Sequence, residues 1–294
     1  MTTANLESVR TSAEAGTDMA LKRILVHFDQ SQQGQSRMDL AVTLARQFGS
    51  RLTGVYVIPS FIPPAFVVGQ VPPAFLVEQE REVQEAAEAA RQQFIERASK
   101  EGLTADWQSL QFSPVVELRR LARYADLAIV GQNDPDARDL VNPVRPEDVV
   151  LGSGRPVLVV PYIGAPATTG RRVVIAWNGS REAARAVGDA LPLLRRAETV
   201  WALSIGRDAG ETATSPTSEL ARFLADHGIR ATPRELIAGD DISASDLLLS
   251  MLSDLGADLL VMGCYGHSRL REVVLGGMTR GILRHMTVPV LMSH

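Results

Sequence analysis

The sequence predicts an α/β protein built from two tandem, doubly wound parallel sheets of five strands each. Short apolar runs alternate with longer segments of helical period, the pattern of strands buried beneath covering helices. The alternation runs through the chain twice, with the same landmarks in the same order. Each strand-to-strand connection is long enough to hold a helix, which makes the crossovers right-handed and the sheets open and parallel.

The first landmark opens each unit. Ile24-Leu25-Val26-His27-Phe28-Asp29-Gln30-Ser31 lines up with Val173-Val174-Ile175-Ala176-Trp177-Asn178-Gly179-Ser180, an apolar run ending in a polar turn, and a helical segment follows both. Next, Ala125-Asp126-Leu127-Ala128-Ile129-Val130-Gly131 matches Ala257-Asp258-Leu259-Leu260-Val261-Met262-Gly263. Last, Arg155-Pro156-Val157-Leu158-Val159-Val160 matches Val288-Pro289-Val290-Leu291-Met292-Ser293. The first unit is therefore 21–161 and the second 171–294. Pro161 to Gly170 carries two prolines and two glycines among small residues and places the linker at 162–170.

Between its first two landmarks the first unit is longer, and the surplus is an apolar insertion at 59–79, after the second strand. Its apolar run ends near Val77 and includes Phe61, Ile62, Phe66, Val67, Phe75 and Leu76. Such a segment is a lid, a chaperone-like contact, a dimer surface or a piece packed on its own unit. The helix after it, Glu80 to Lys100, puts Val83, Ala87, Ala90, Phe94 and Ala98 on one core-facing stripe. In the second unit the strands fall at 172–177, 199–205, 231–237, 258–262 and 289–293. The helices fall at 180–194, 216–227, 243–255 and 275–286.

Composition narrows the function. Of 294 residues, 45% are hydrophobic and 22% charged, as in a soluble globular protein. The net charge of -4 gives no general attraction to a polyanion, so nucleic acid is a poor partner. The one cysteine, Cys264, excludes an internal disulfide and any zinc site with two thiolates. Residues 1–20 are small and polar, with neither a signal-peptide pattern nor an anchor, and read as a disordered tail. A cytoplasmic protein with no membrane partner is expected.

In an open α/β sheet, ligands bind beyond the carboxyl ends of the strands, where the strand order reverses. Two loops of the second unit meet there. One is the turn at Asn178; the other reads Gly263-Cys264-Tyr265-Gly266-His267-Ser268-Arg269-Leu270 and runs on to Gly276-Gly277-Met278-Thr279-Arg280. Glycines let backbone N–H groups converge on an anion with no Cβ in the way. Thr279 adds a hydroxyl, a helix starting near Gly276 adds the positive end of its dipole, and Arg269 and Arg280 are charge partners for phosphate.

The spacing Gly263, Gly266, nine residues, Gly276 resembles the nucleotide loop of ATP-binding universal stress proteins, as do the flanking Gly-His-Ser-Arg and Gly-Gly-Met-Thr-Arg strings. The resemblance covers the second unit and, more weakly, the first. It implies an adenine nucleotide alpha-hydrolase-like fold with strand order 3-2-1-4-5 in each unit, paired through the last strands, Val157 to Val160 and Val290 to Ser293. It implies an adenine nucleotide ligand (ATP, ADP or AMP), with Mg2+ entering only alongside it. Ala176, Asn178 and Ile205 then take the nucleoside side. Met262, Gly263, Gly266, His267, Ser268 and Arg269 approach ribose and phosphates, and Gly276, Gly277, Met278 and Thr279 complete the phosphate cradle.

Two positions depart from the family pattern: Asn178 stands where an aspartate is usual, and Gly277 where Ser or Thr is usual. The first unit keeps Asp29 and Ser31 but has Gly131-Gln132-Asn133-Asp134-Pro135-Asp136 in place of the glycine loop. Its two carboxylates would repel phosphate, so a single site is expected, in the second unit. Neither a metal-ligand spacing among the five histidines nor a Gly-x-Ser-x-Gly elbow is present. No catalytic residue is assigned. Three functions stand side by side: a nucleotide-responsive stress module, a slow ATP hydrolase of the same superfamily, and a structural or chaperone-like protein with an empty cleft. A homodimer of the whole chain is compatible with each.

Overall fold

A computed structural model of the chain describes residues 21–58, 72–111, 113–133, 144–166, 168–206, 215–239, 241–265 and 277–294. The tail at 1–20, most of the apolar insertion, Asp134 to Asp136 and the loop from Gly266 to Gly276 lie outside the described residues. The first unit contains β1 (Arg23–His27), α1 (Gln32–Phe48), β2 (Arg51–Val57), α2 (Pro73–Lys100), β3 (Ala105–Leu110), α3 (Pro114–Ala122), β4 (Leu127–Gly131), α4 (Pro146–Ser153) and β5 (Val157–Val160). The second repeats it with β6 (Arg172–Ala176), α5 (Arg181–Leu194), β7 (Thr199–Gly206), α6 (Pro216–Asp226), β8 (Ala231–Ile237), α7 (Ala244–Asp254), β9 (Leu259–Gly263), α8 (Gly277–His285) and β10 (Val290–Ser293).

The strand order is β3-β2-β1-β4-β5-β10-β9-β6-β7-β8. Each unit has the expected 3-2-1-4-5 order with parallel neighbours, and the two sheets join into one of ten strands. The joint is antiparallel, with Leu158 opposite Leu291 between the pairs Val159/Val290 and Val157/Met292. All four residues of β5 and of β10 are buried, as befits strands covered on both faces at the centre of a sheet. One apolar layer fills each face, and each draws residues from both units.

The repeated landmarks have repeated physical reasons. Asp126 precedes β4, and its Oδ2 accepts from the backbone nitrogens of Lys22 (2.8 Å) and Arg23 (2.9 Å). Asp258 does the same before β9, with Oδ1 accepting from Gly170 (3.0 Å) and Arg172 (2.9 Å). Each carboxylate satisfies amides at the start of its unit's first strand, where the ladder has not begun. Each first helix is also capped alike: Ser31 Oγ accepts from Gly34 N at 3.0 Å, and Ser180 Oγ from Ala183 N at 3.1 Å.

One expectation needs correction. The helix after the insertion begins at Pro73, not Glu80, and runs 28 residues. Proline suits a first helical position, where the N–H has no partner within the helix. The core-facing stripe begins only at Val83, so a reading by stripe alone starts the helix too late. Phe75, Leu76 and Val77 lie ahead of the stripe and are exposed.

Candidate nucleotide site

The strand order of the second unit reverses between β6 and β9, and a cleft of about 260 Å³ opens there. Eight residues picked from the sequence line it: Ala176, Asn178, Ile205, Met262, Gly263, Gly277, Met278 and Thr279. Gly266, His267, Ser268, Arg269 and Gly276 lie outside the described residues. Arg280 is exposed and does not border the cleft.

The lining has two characters. Ala176, Leu203, Ile205, Leu248 and Met262 form an apolar floor from β6, β7, α7 and β9. α8 contributes its first described residues, Gly277, Met278 and the buried Thr279, to the lining, and the first N–H groups of a helix have no partner within it. Such an end favours an anion. A cleft with an apolar wall and an anion-favouring rim fits a ligand that is flat and apolar at one end and charged at the other.

The turn after β6 is closed by a side-chain hydrogen bond. Asn178 Oδ1 accepts from Ser180 N at 3.1 Å, and Gly179 has φ 70, a left-handed conformation that glycine adopts without strain. Asn178 Oδ1 thus holds the turn, and its Nδ2 is a donor that Asn178 can offer a ligand. Asp29 makes the same turn in the first unit, its Oδ1 accepting from Ser31 N at 3.0 Å.

Gly263 also packs against a neighbouring helix. A Cβ there would meet Ala183 N at 2.5 Å and the Glu182 carbonyl carbon at 2.6 Å. The missing Cβ thus makes room for the first turn of α5, while the glycine itself lines the cleft.

The sequence reading missed Trp177, Ser180, Leu203, Leu248 and Tyr265 as lining residues. Tyr265 is buried with φ 56, unusual for a side-chain-bearing residue and a mark of a loop held by its surroundings. Trp177 was legible through its repeat partner. Phe28 in the first unit is enclosed by Phe94 at 5.7 Å and Trp107 at 6.1 Å. Trp177 is only partly buried and borders both the cleft and a second hollow of about 270 Å³ between α5 and α6.

At the corresponding place the described residues of the first unit carry a charged cluster. Arg37, on α1, donates from Nε to His27 O at 2.7 Å and ion-pairs with Asp29. A Cβ on Gly131 would lie 2.5 Å from its Nη1. Burial first, and Arg37 second, lower the His27 imidazole to about 3. Burial acts to raise the Asp29 carboxyl, but Arg37, Ser31 and His27 together hold it below the usual carboxylate range.

The description of the universal stress protein family matches residues 20–161 and again 170–294. The chain belongs to the universal stress protein family. A curated relative, universal stress protein Slr1230 of a Synechocystis species, is 40% identical over 57 residues, a match spanning 19% of either chain. A universal stress protein structure from Archaeoglobus fulgidus superposes with a TM-score of 0.72 at 17% identity, covering 92% of this chain and 97% of its own. One from Pseudomonas aeruginosa reaches 0.58 at 18% identity, covering 94% of each. Those two likenesses establish the fold over nearly the whole chain. Among the described residues, no helix is long and apolar enough to cross a membrane, and no three His, Cys, Asp or Glu side chains are grouped to hold a metal.

Proposed function

We propose that the second unit of this stress protein binds one adenine nucleotide, and that occupancy of the cleft regulates what the chain binds. The observation that carries the reading is the meeting of an apolar floor with the start of α8 at the strand-order reversal. Ala176, Leu203, Ile205 and Met262 offer a base an apolar seat, with Trp177 alongside. Gly277 and Thr279 offer a phosphate backbone amides and a hydroxyl. Gly266, His267, Ser268, Arg269 and Gly276 belong to the same reading through their loop spacing. Mg2+ would come with a triphosphate, since no grouped ligand set stands among the described residues.

One nucleotide per chain follows from the contrast between the units. The first unit carries the Arg37–Asp29 ion pair at the corresponding place and, in sequence, an acidic stretch at Asp134 and Asp136; the second has a neutral amide and, in sequence, a glycine-rich loop. The last strands already pair within one chain, so a homodimer would need another surface. The reading includes no chemical step.

The test is mass analysis of small molecules released by acid from protein purified without added nucleotide, followed by titration with ATP, ADP and AMP. One adenine nucleotide per chain is expected. A chain that carries none and shows no heat of binding with any of the three refutes the reading.

A further inference from the structure

The first unit reaches into the second through one buried side chain. Gln132 follows β4 at the place where the second unit has Cys264. Its Nε2 donates to Leu283 O at 2.8 Å and to Arg284 O at 3.2 Å, while its Oε1 accepts from Tyr162 N at 3.1 Å. Only one orientation of the amide satisfies all three bonds, because two partners are carbonyls and one is an N–H.

The two carbonyls are among the last four of α8, which have no acceptor role within the helix. At 7% exposure, Gln132 makes these bonds with little access to water, so removing the amide leaves them poorly satisfied. The other end of α8 is the cleft wall, Gly277 to Thr279. Between the two ends a Cβ on Gly281 would lie 2.3 Å from Ser245 Oγ, so α8 is tightly seated on α7 and has little room to tilt on its own. A helix of nine residues, about 13 Å long, moves as a rigid rod, so whatever fixes one end sets the other.

We infer that Gln132 is a positioning residue for the cleft of the second unit: the first unit, whose own loop has lost the glycines, anchors the helix that forms its twin's phosphate rim. At the equivalent place in the second unit stands Cys264, which has no side-chain amide and whose carbonyl accepts from His294 Nδ1 at 2.8 Å. As regards nucleotide, this inference rests on the proposed function; as regards the position of α8, it does not.

The test compares the native chain with Gln132→Glu and Gln132→Met by two readouts. The first is the methyl NMR signal of Met278, from [13C-methyl]methionine-labelled, ligand-free protein and assigned with Met278→Leu. The second is ATP affinity. The carboxylate of Gln132→Glu keeps the acceptor for Tyr162 but, when ionised, repels the two carbonyls; the thioether of Gln132→Met loses both contacts. Both variants should shift the Met278 signal and bind ATP about tenfold more weakly, the consequence of leaving buried carbonyls unpaired. Protonation restores a donor to the carboxyl of Gln132→Glu, so the deficit of that variant relative to the native chain should shrink between pH 8 and pH 5 while that of Gln132→Met stays constant.

An unmoved Met278 signal in both variants overturns the inference, and so does a deficit equal in both variants at every pH. If the native chain itself takes up no ATP, the functional reading fails and the Met278 signal alone decides this one.

Discussion

A Cβ built on Gly263 would lie 2.5 Å from the backbone nitrogen of Ala183, so the last residue of β9 is a packing contact with the first turn of α5. Gly263→Ala should therefore destabilise the fold itself, by about 1–3 kcal/mol as overpacking usually does. Its denaturation midpoint in urea falls with an unchanged slope. Gly277→Ala is the contrasting change, since among the described residues nothing lies within 4 Å of a Cβ there. Its stability should hold or rise, alanine being favoured over glycine in helices by up to about 1 kcal/mol. An unaltered midpoint for Gly263→Ala would show that α5 can retreat from the strand. It follows that Gly277→Ala, and not a bulky residue at Gly263, tests ligand space without disturbing the fold.

Trp177 gives the cleft its own reporter. The chain has three tryptophans. Trp107 packs on Phe94 at 5.3 Å, and Trp201 is buried beneath the Arg172 guanidinium at 5.6 Å. Trp177 alone among them borders the cleft. ATP should change the tryptophan emission, and Trp177→Phe should remove most of that change while Trp107→Phe leaves it. A full response from the Trp177→Phe protein would put the ligand elsewhere.

The first unit's charged cluster sets an acid limit on stability. Burial, then Arg37, hold His27 neutral down to about pH 3, against an ordinary value of 6.5. Below 6.5 the unfolded chain takes up a proton that the native state refuses, so stability falls as pH drops and the loss is complete near 3. The slope from this group is at most about 1.4 kcal/mol per pH unit. Asp29 adds to the loss only at lower pH. Its stabilisation is present above the ordinary carboxyl value and disappears as pH falls through its lowered native one. His27→Gln leaves the backbone oxygen that Arg37 uses and should flatten the dependence between pH 7 and 4.5. Denaturant titrations at four pH values check it, and equal slopes in both proteins would assign the proton uptake to another group.

The fold was legible because its causes are local and repeated. An apolar run, a serine cap and an aspartate before the fourth strand recur at matching places, and each does the same work twice. The cleft was half legible. Ala176, Asn178, Ile205 and Met262 sit at strand ends, which topology brings together, and Gly277 to Thr279 open a helix that points there. Leu203 and Leu248 gave no signal beyond apolar character, which is common to the whole core. Gln132 was hidden for another reason. Its partners are backbone carbonyls of the other unit, so nothing in their side chains records the contact.

The central joint makes a prediction about the second unit alone. In the whole chain β10 is covered by β5, with Val290, Leu291 and Met292 facing Val159, Leu158 and Val157. A fragment comprising residues 171–294 would leave that edge open, and its four buried residues, three of them apolar, include no charge or proline to blunt it. The register needed to close the edge is already antiparallel and centred on Leu291, so a second copy can supply the missing strand by twofold symmetry. The fragment should therefore run as a dimer by light scattering, and Leu291→Lys should return it to a monomer by burying an unpaired charge at the joint. In the intact chain the same substitution would instead lower stability, because the partner strand is covalently attached. A monomeric fragment of native sequence would show that β5 serves to shield β10 without being replaceable by it.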